Sequence, residues 1–438
     1  MPNSSINIEK GLGTYSHAAI YAALIVSSLF LSTFFINRHG EKRTMWVSSL
    51  CYSGFIFAQF YPTFYTLIPT GVLVGLAAAP LWTAKCTYLT QVAARYAELT
   101  GIERENVVMR FFGVFFMIFR ASGALGSLIT STLISRTSSR GNLTEEILQT
   151  CGINFCDENV EDNPNLERPP DSTINLISVV FVGICFTSAF LIIVFLDPLH
   201  RYKTCASTNR PITSSLTLVK AAYTQFKRPK QALIVVLVYY GGIEQAFAGA
   251  DYTKAFISCA WGIQYIGYVG IVGSIVNSCG CMGFGYLVKY TGRQPVFFLA
   301  FILNVIAMVI MYMWSPNPDD AWVFFLIDGL WNCADSIWQT QINGLHGILF
   351  KGEEENAAAF ANYKFFESIG FMQAYFLSSL LCTTVKVYFM GALLVIGMIC
   401  YLWVERIAEA EKETAAAPNQ PSSVASTTHF ALENNTVV

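Results

Sequence analysis

Eleven apolar runs, each long enough to cross a bilayer as a helix, follow one another along this chain of 438 residues and leave little room for any other fold. They lie near residues 15–36, 45–62, 66–92, 110–134, 173–196, 231–250, 259–288, 295–314, 321–349, 357–382 and 386–404. A helix needs about 17 to 25 residues to span ~30 Å of hydrocarbon, whereas the strands of a membrane barrel are roughly half as long. Hydrophobic residues make up 54% of the chain and charged residues only 13%, an excess no soluble core requires. The expected class is an all-α polytopic membrane protein with about eleven transmembrane helices.

Inside the run at 321–349 stands a row of polar side chains, Asp328, Asn332, Asp335, Gln339 and Asn343, at steps of 4, 3, 4 and 4. That spacing puts all five on one helical face. An ionisable group in hydrocarbon costs at least ~2.5 kcal/mol, so the row must face protein or a water-filled cavity. The run at 231–250 and its continuation carry Glu244 and Asp251, seven apart like Asp328 and Asp335. Glu244 and Asp335 fall past mid-membrane and Asp251 and Asp328 toward the outer side. Two bases accompany them, Arg120 about mid-run in 110–134 and Lys85 toward the cytosolic end of 66–92. These charges either pair with one another and fix helix packing, or line a binding cavity or cation path. Lys364 and Glu367, three apart, are expected to neutralise each other.

Enzyme and cofactor motifs are absent. The five His are scattered, without H-E-x-x-H, G-x-S-x-G or a phosphate-cradling G-x-x-x-x-G-K-[ST], and Cys279-Gly280-Cys281 has no nearby His or carboxylate, so no metal and no cofactor is expected. The basic residues sit in short loops and not on one surface, which gives no ground for nucleic-acid binding.

Orientation follows from where those basic residues fall. Arg38, Lys42 and Arg43, then Arg95, Arg104 and Arg110, then the segment 197–230, then Lys289 and Arg293 occupy alternate connections, hence the cytosol. The loop 136–172 holds three Arg against eight Asp and Glu and carries the glycosylation acceptor Asn142-Leu143-Thr144, as an outer loop should. Cys151 and Cys156 lie in it, and an oxidising compartment would allow a disulfide between them. The other placed cysteines (Cys51, Cys86, Cys185, Cys279, Cys281, Cys333 and Cys400) fall in apolar runs as packing material. The expected organisation is an outer tail 1–14, a first half 15–196, a basic cytosolic linker 197–230, a second half 231–404 and a disordered cytosolic tail 405–438. The chain ends in Thr436-Val437-Val438, a pattern that adds as a strand to PDZ-type domains.

Two loops resemble each other six helices apart: Asn37 and Arg38 before Gly40 with Lys42 and Arg43 after it, and Gly285 before Gly292 with Arg293 after it. Both resemble the basic glycine loop that joins the second and third helices of each half in the major facilitator superfamily, whose halves are parallel repeats. In that register the first run here is helix two of the usual twelve, and helix one is missing. In such a fold helices one, four, seven and ten line the central cavity, so Lys85, Glu244 and the row at 328–343 would converge there.

Longer stretches are more specific. Leu67-Ile68-Pro69-Thr70 through Gly75-Leu76-Ala77-Ala78-Ala79-Pro80-Leu81-Trp82 to Cys86-Thr87-Tyr88-Leu89-Thr90 closely resembles the unc-93 family of ion-channel regulatory proteins, nearest its homolog A branch. So does Ala334-Asp335-Ser336-Ile337-Trp338-Gln339-Thr340-Gln341 with Ala358-Ala359-Phe360-Ala361-Asn362-Tyr363, and Asp251-Tyr252-Thr253 with Gly262-Ile263-Gln264 and Gly267-Tyr268 fits too. The resemblance implies a plasma-membrane protein that regulates a potassium channel or escorts a receptor. A solute or cation carrier working through the carboxylate-lined cavity is the alternative.

Overall fold

The computed structural model describes residues 3–7, 11–102, 104–137, 141, 143–157, 163–198, 215–350 and 353–416. Asn142 and Thr436-Val437-Val438, singled out above, lie outside the described residues, as does the stretch 199–214 of the basic linker. Among the described residues the long elements are all helices. They are α1 (Leu12–Phe57), α2 (Phe64–Thr100), α3 (Arg104–Ile134), α4 (Asp171–Phe195), α5 (Pro229–Phe247), α6 (Ile266–Thr291), α7 (Arg293–Met313), α8 (Ala321–Leu349), α9 (Glu353–Leu377) and α10 (Thr383–Ala416). α5 continues as a π-helix over Ala248–Ser258.

α1 is two rods in one, broken at Gly40, where φ is 75° and ψ 165°. Gly292 between α6 and α7 has nearly the same backbone, φ 79° and ψ 176°. Only glycine adopts that region without a steric penalty, so the two glycine loops fold alike for the same reason. With α1 counted as two, eleven rods result. Eight are long and apolar enough to cross a membrane by composition alone. The other three carry more polar residues: the second arm of α1 with Glu41, Lys42 and Arg43, α8 with its polar row, and α9 with Lys364 and Glu367.

The long helices of the two halves pack together chiefly in two places. The first arm of α1 packs on α9, and α3 packs on α6. The α1–α9 contact is aromatic: Tyr21 stacks on Phe371 at 4.3 Å between centroids, and His17 lies 4.9 Å from Tyr375. The α3–α6 contact is a seam of small residues, where Gly123 faces Ser274 and Gly270 faces Ser127, letting the backbones approach as membrane helices without a hydrophobic drive must.

Two segments differ from the sequence reading. α10 runs to Ala416, into the stretch expected as a disordered tail from residue 405, because Glu405 is buried and pairs with Arg293 at 3.0 Å while Glu411 pairs with Lys230. In the linker, Ser215–Phe226 forms a helix that docks on α9 through Asn362 Nδ2 donating to the Ala222 carbonyl at 2.9 Å.

Candidate functional site

None of the five row residues on α8 is exposed. Asp335 is the centre of what they face. Its Oδ2 accepts from Asn277 Nδ2 of α6 at 2.7 Å and lies 3.3 Å from Arg120 Nη2 of α3, so a helix of the first half and two of the second meet on one carboxylate oxygen. Asn277 also reaches Asn332 Oδ1 at 3.4 Å, and Asn332 Nδ2 donates to Asp328 Oδ1 at 3.2 Å. Further along, Tyr363 of α9 donates to Gln339 at 3.3 Å, and Asn343 turns back to the Gln339 carbonyl at 2.6 Å. The row thus ends in contacts of its own and its neighbour's making.

The approach of α6 is close. A side chain at Gly273 would overlap the Asp328 carboxylate and the Asn332 amide, so only a residue without Cβ leaves room for the network.

Beside the network lies a set of buried polar atoms. Glu244 of α5 is 0% exposed, and the one side chain its carboxylate meets is the neutral Asn304 amide. Asp335 Oδ1 and Tyr240 Oη have no hydrogen-bond partner. Asn304 of α7 meanwhile accepts from Trp338 Nε1 at 2.7 Å, which holds it in place. Buried groups left this way cost about 1–3 kcal/mol each, so a protein retains them where a proton, a cation or water satisfies them.

Two of the candidate cavity residues, Asp251 and Lys85, are engaged elsewhere. Asp251, on the π-helical turn, accepts from Lys386 Nζ of α10 at 2.6 Å and from Ser378 at 2.7 Å, which makes it an inter-helix tie in the second half. Lys85 meets no carboxylate. Its ammonium sits over the rings of Phe115 at 4.2 Å, Trp82 at 4.5 Å and Phe116 at 4.8 Å, a cation–π cage. Glu367 pairs with Lys364 at 2.7 Å, the neutralising contact expected, and accepts from Tyr363 at 2.9 Å as well. Asn277, Asn304 and Lys386 were not singled out in the sequence, although each is a polar residue inside or at the end of an apolar run.

The cysteine pairing is corrected. Cys151 and Cys156 do not join each other: Cys151 bonds Cys259, just past the π-helix, and Cys156 bonds Cys382, in the turn before α10. A 3₁₀ turn at Gly152–Asn154 separates the two and directs them to different helices. Further contacts hold the first-half loop on the second half. Asn163 Nδ2 donates to the Cys259 carbonyl at 3.1 Å, Thr383 N to the Phe155 carbonyl at 2.9 Å, and Lys254, 2% exposed, pairs with Asp157 at 2.5 Å. Cys51, Cys86, Cys185, Cys279, Cys281, Cys333 and Cys400 are free thiols. Among the described residues no group of His, Cys, Asp or Glu is arranged to hold a metal ion.

The fold and the polar core define a two-half helical membrane bundle of the major facilitator kind. The solved structure of the nucleoside transporter NupG superposes with a TM-score of 0.59 over 91% of this chain and 93% of that one, at 10% identity, a likeness of fold alone. A profile of the family described as "Ion channel regulatory protein UNC-93" matches residues 4–402. Protein unc-93 homolog A of Xenopus laevis is 39% identical over 94% of this chain and 90% of its own length, and the Homo sapiens homolog A is 34% identical over 96% and 91%. "Putative potassium channel regulatory protein unc-93" of Caenorhabditis elegans is 31% identical over 92% of this chain and 58% of its own length. The chain belongs to the UNC-93 family.

Proposed function

We propose that this chain is a non-enzymatic membrane subunit that regulates a channel, a potassium channel being the partner class that the name of the C. elegans relative suggests. One observation favours this over a carrier: the first-half loop 151–167 is tied by two disulfides to the second half, at the ends of α5 and α9. A carrier of this architecture works by rocking one half against the other, opening each side in turn. Two covalent links across one face oppose that opening, while they suit a body that presents a constant surface to a partner.

Disulfides persist in oxidising compartments, which supports the reading of this face as outer and the Gly40 and Gly292 loops as cytosolic. In that topology Asn142 is glycosylated, the C-terminus is cytosolic with Thr436-Val437-Val438 available to a PDZ-type domain, and the protein resides in the plasma membrane. The carrier reading retains one support of its own, the fully buried carboxylate of Glu244, which has no ion-pair partner among the described residues.

Co-expression with potassium channels in oocytes tests the proposal. A reproducible change in current amplitude or gating, with the channel co-purifying under oxidising conditions, is expected. Solute or cation uptake in vesicles holding the chain alone, lost in Glu244→Gln with Asp335→Asn, would replace it by the carrier.

A further inference from the structure

On the membrane face opposite the disulfides, read above as cytosolic, α2 and α3 leave between them a groove of about 640 Å³. Its walls include Leu89 of α2 and Val107, Phe111, Val114 and Phe115 of α3, with Arg110 at its rim. Val114 is 49% exposed, so the groove opens sideways from the bundle and not into its centre. The volume falls within the roughly 300–1,000 Å³ usual for small-molecule sites.

Charge decides what fits. Arg110 is exposed and has no ion-pair partner among the described residues. Lys85 stands one helical turn from Leu89 and touches the groove wall through Phe115, 4.2 Å from its ammonium. It is 9% exposed and has no carboxylate partner among the described residues. Arg110 lies six residues from the start of α3, about 9 Å up the axis, the depth of a headgroup; Phe115 lies about 7.5 Å further in. An apolar trough open to the bilayer, with a cation unpaired among the described residues at headgroup depth and a second behind its inner wall, complements a molecule that is anionic at one end and hydrocarbon at the other. Basic recesses between transmembrane helices on the cytosolic side bind anionic lipid headgroups for the same reason.

The geometry points to an anionic phospholipid of the cytosolic leaflet as the occupant, with one acyl chain along Phe111, Val114, Phe115 and Leu89 and the phosphate on Arg110. Lys85 strengthens the preference for negative charge from the inner end. The site is separate from the α8 network, and its test in detergent needs neither a channel nor a known orientation.

Purified full-length chain is delipidated in mild detergent, titrated with phosphatidylserine or with phosphatidylcholine of identical acyl chains, and lipid retention is read by native mass spectrometry. Phosphatidylserine is expected to be retained in preference. Near a membrane surface each basic residue is worth about 1 kcal/mol, so Arg110→Ala should weaken phosphatidylserine retention roughly fivefold and Arg110→Ala with Lys85→Met roughly thirtyfold, with phosphatidylcholine, whose phosphate is offset by its own choline cation, losing less. Val114→Trp, at a half-exposed position, keeps both charges but fills the trough and should abolish retention in protein that still elutes as a folded species. Equal retention of both lipids, no response to Arg110→Ala in a folded protein, or full retention in Val114→Trp would overturn the assignment, as would finding a polypeptide helix in the groove in place of lipid.

Discussion

Replacing Arg120 by Met isolates the carboxylate on which three helices meet. Arg120 Nη2 lies 3.3 Å from Asp335 Oδ2, and at an effective dielectric of about 20 two unit charges at that separation attract by about 5 kcal/mol. Removing one partner of a buried pair costs about 3–5 kcal/mol, because the survivor is left charged and uncompensated. Arg120 is 28% exposed, which screens part of the attraction, so the lower end applies, about 3 kcal/mol. The loss is not softened by neighbours. Asp335 keeps only the Asn277 amide, and Asp328 and Glu244 add further carboxylates to the same core. At roughly 2 °C per kcal/mol for a large domain, the apparent melting temperature of the purified protein should fall by about 6 °C. Asp335→Asn alone should cost less, since Arg120 can turn toward water. The double variant Arg120→Met with Asp335→Asn should recover at least about 2 kcal/mol relative to the sum of the singles. Thermal unfolding followed by fluorescence-detected size exclusion reads all three variants. Additivity within about 0.5 kcal/mol, or an Arg120→Met protein as stable as wild type, would show that the pair does not hold the halves together.

Other expectations follow from the same contacts. Gly273→Val forces a side chain into the Asp328 and Asn332 contact and should destabilise by about 1–3 kcal/mol, whereas Gly285→Ala, which meets nothing within 4 Å, should be close to neutral in the same assay. Lys386→Met leaves Asp251 buried with only Ser378, so detergent-extracted protein should lose several degrees of melting temperature, and Asp251→Asn in the same chain should restore most of it. Asn142→Gln should abolish a glycosidase-sensitive gel shift, and a wild-type chain insensitive to glycosidase would remove that support for the outer face.

What the sequence made legible, and what it did not, divides along one physical line. Periodicity tells which face of a helix is polar, so the inward direction of Asp328, Asn332, Asp335, Gln339 and Asn343 could be read before any coordinates. It does not tell which helix lies opposite, and Asn277, Gly273 and Arg120 enter as their neighbours only through helix packing, Arg120 from the other half. The glycine loops were readable because their backbone demands glycine; Gly40 and Gly292 share a conformation closed to other residues. Cysteine pairing was not, because nearness along a chain is no guide once a 3₁₀ turn sends Cys151 and Cys156 to separate helices. Lys85 shows a third limit. Its depth in the membrane was readable, but the rings of Trp82, Phe115 and Phe116 that satisfy it in place of a carboxylate come mostly from the adjoining helix.

The claim that the two halves are covalently joined across their outer face admits a direct measurement. A protease site placed within 199–214, between the halves, allows the chain to be cut in oxidised membranes and run on gels with and without reductant. The fragments should migrate together unreduced and separate on reduction, with Cys151→Ser and Cys156→Ser combined separating in both. Fragments of the intact-cysteine chain that separate without reductant would contradict the stapled body, and with it the reason for preferring a regulatory partner to a rocking carrier.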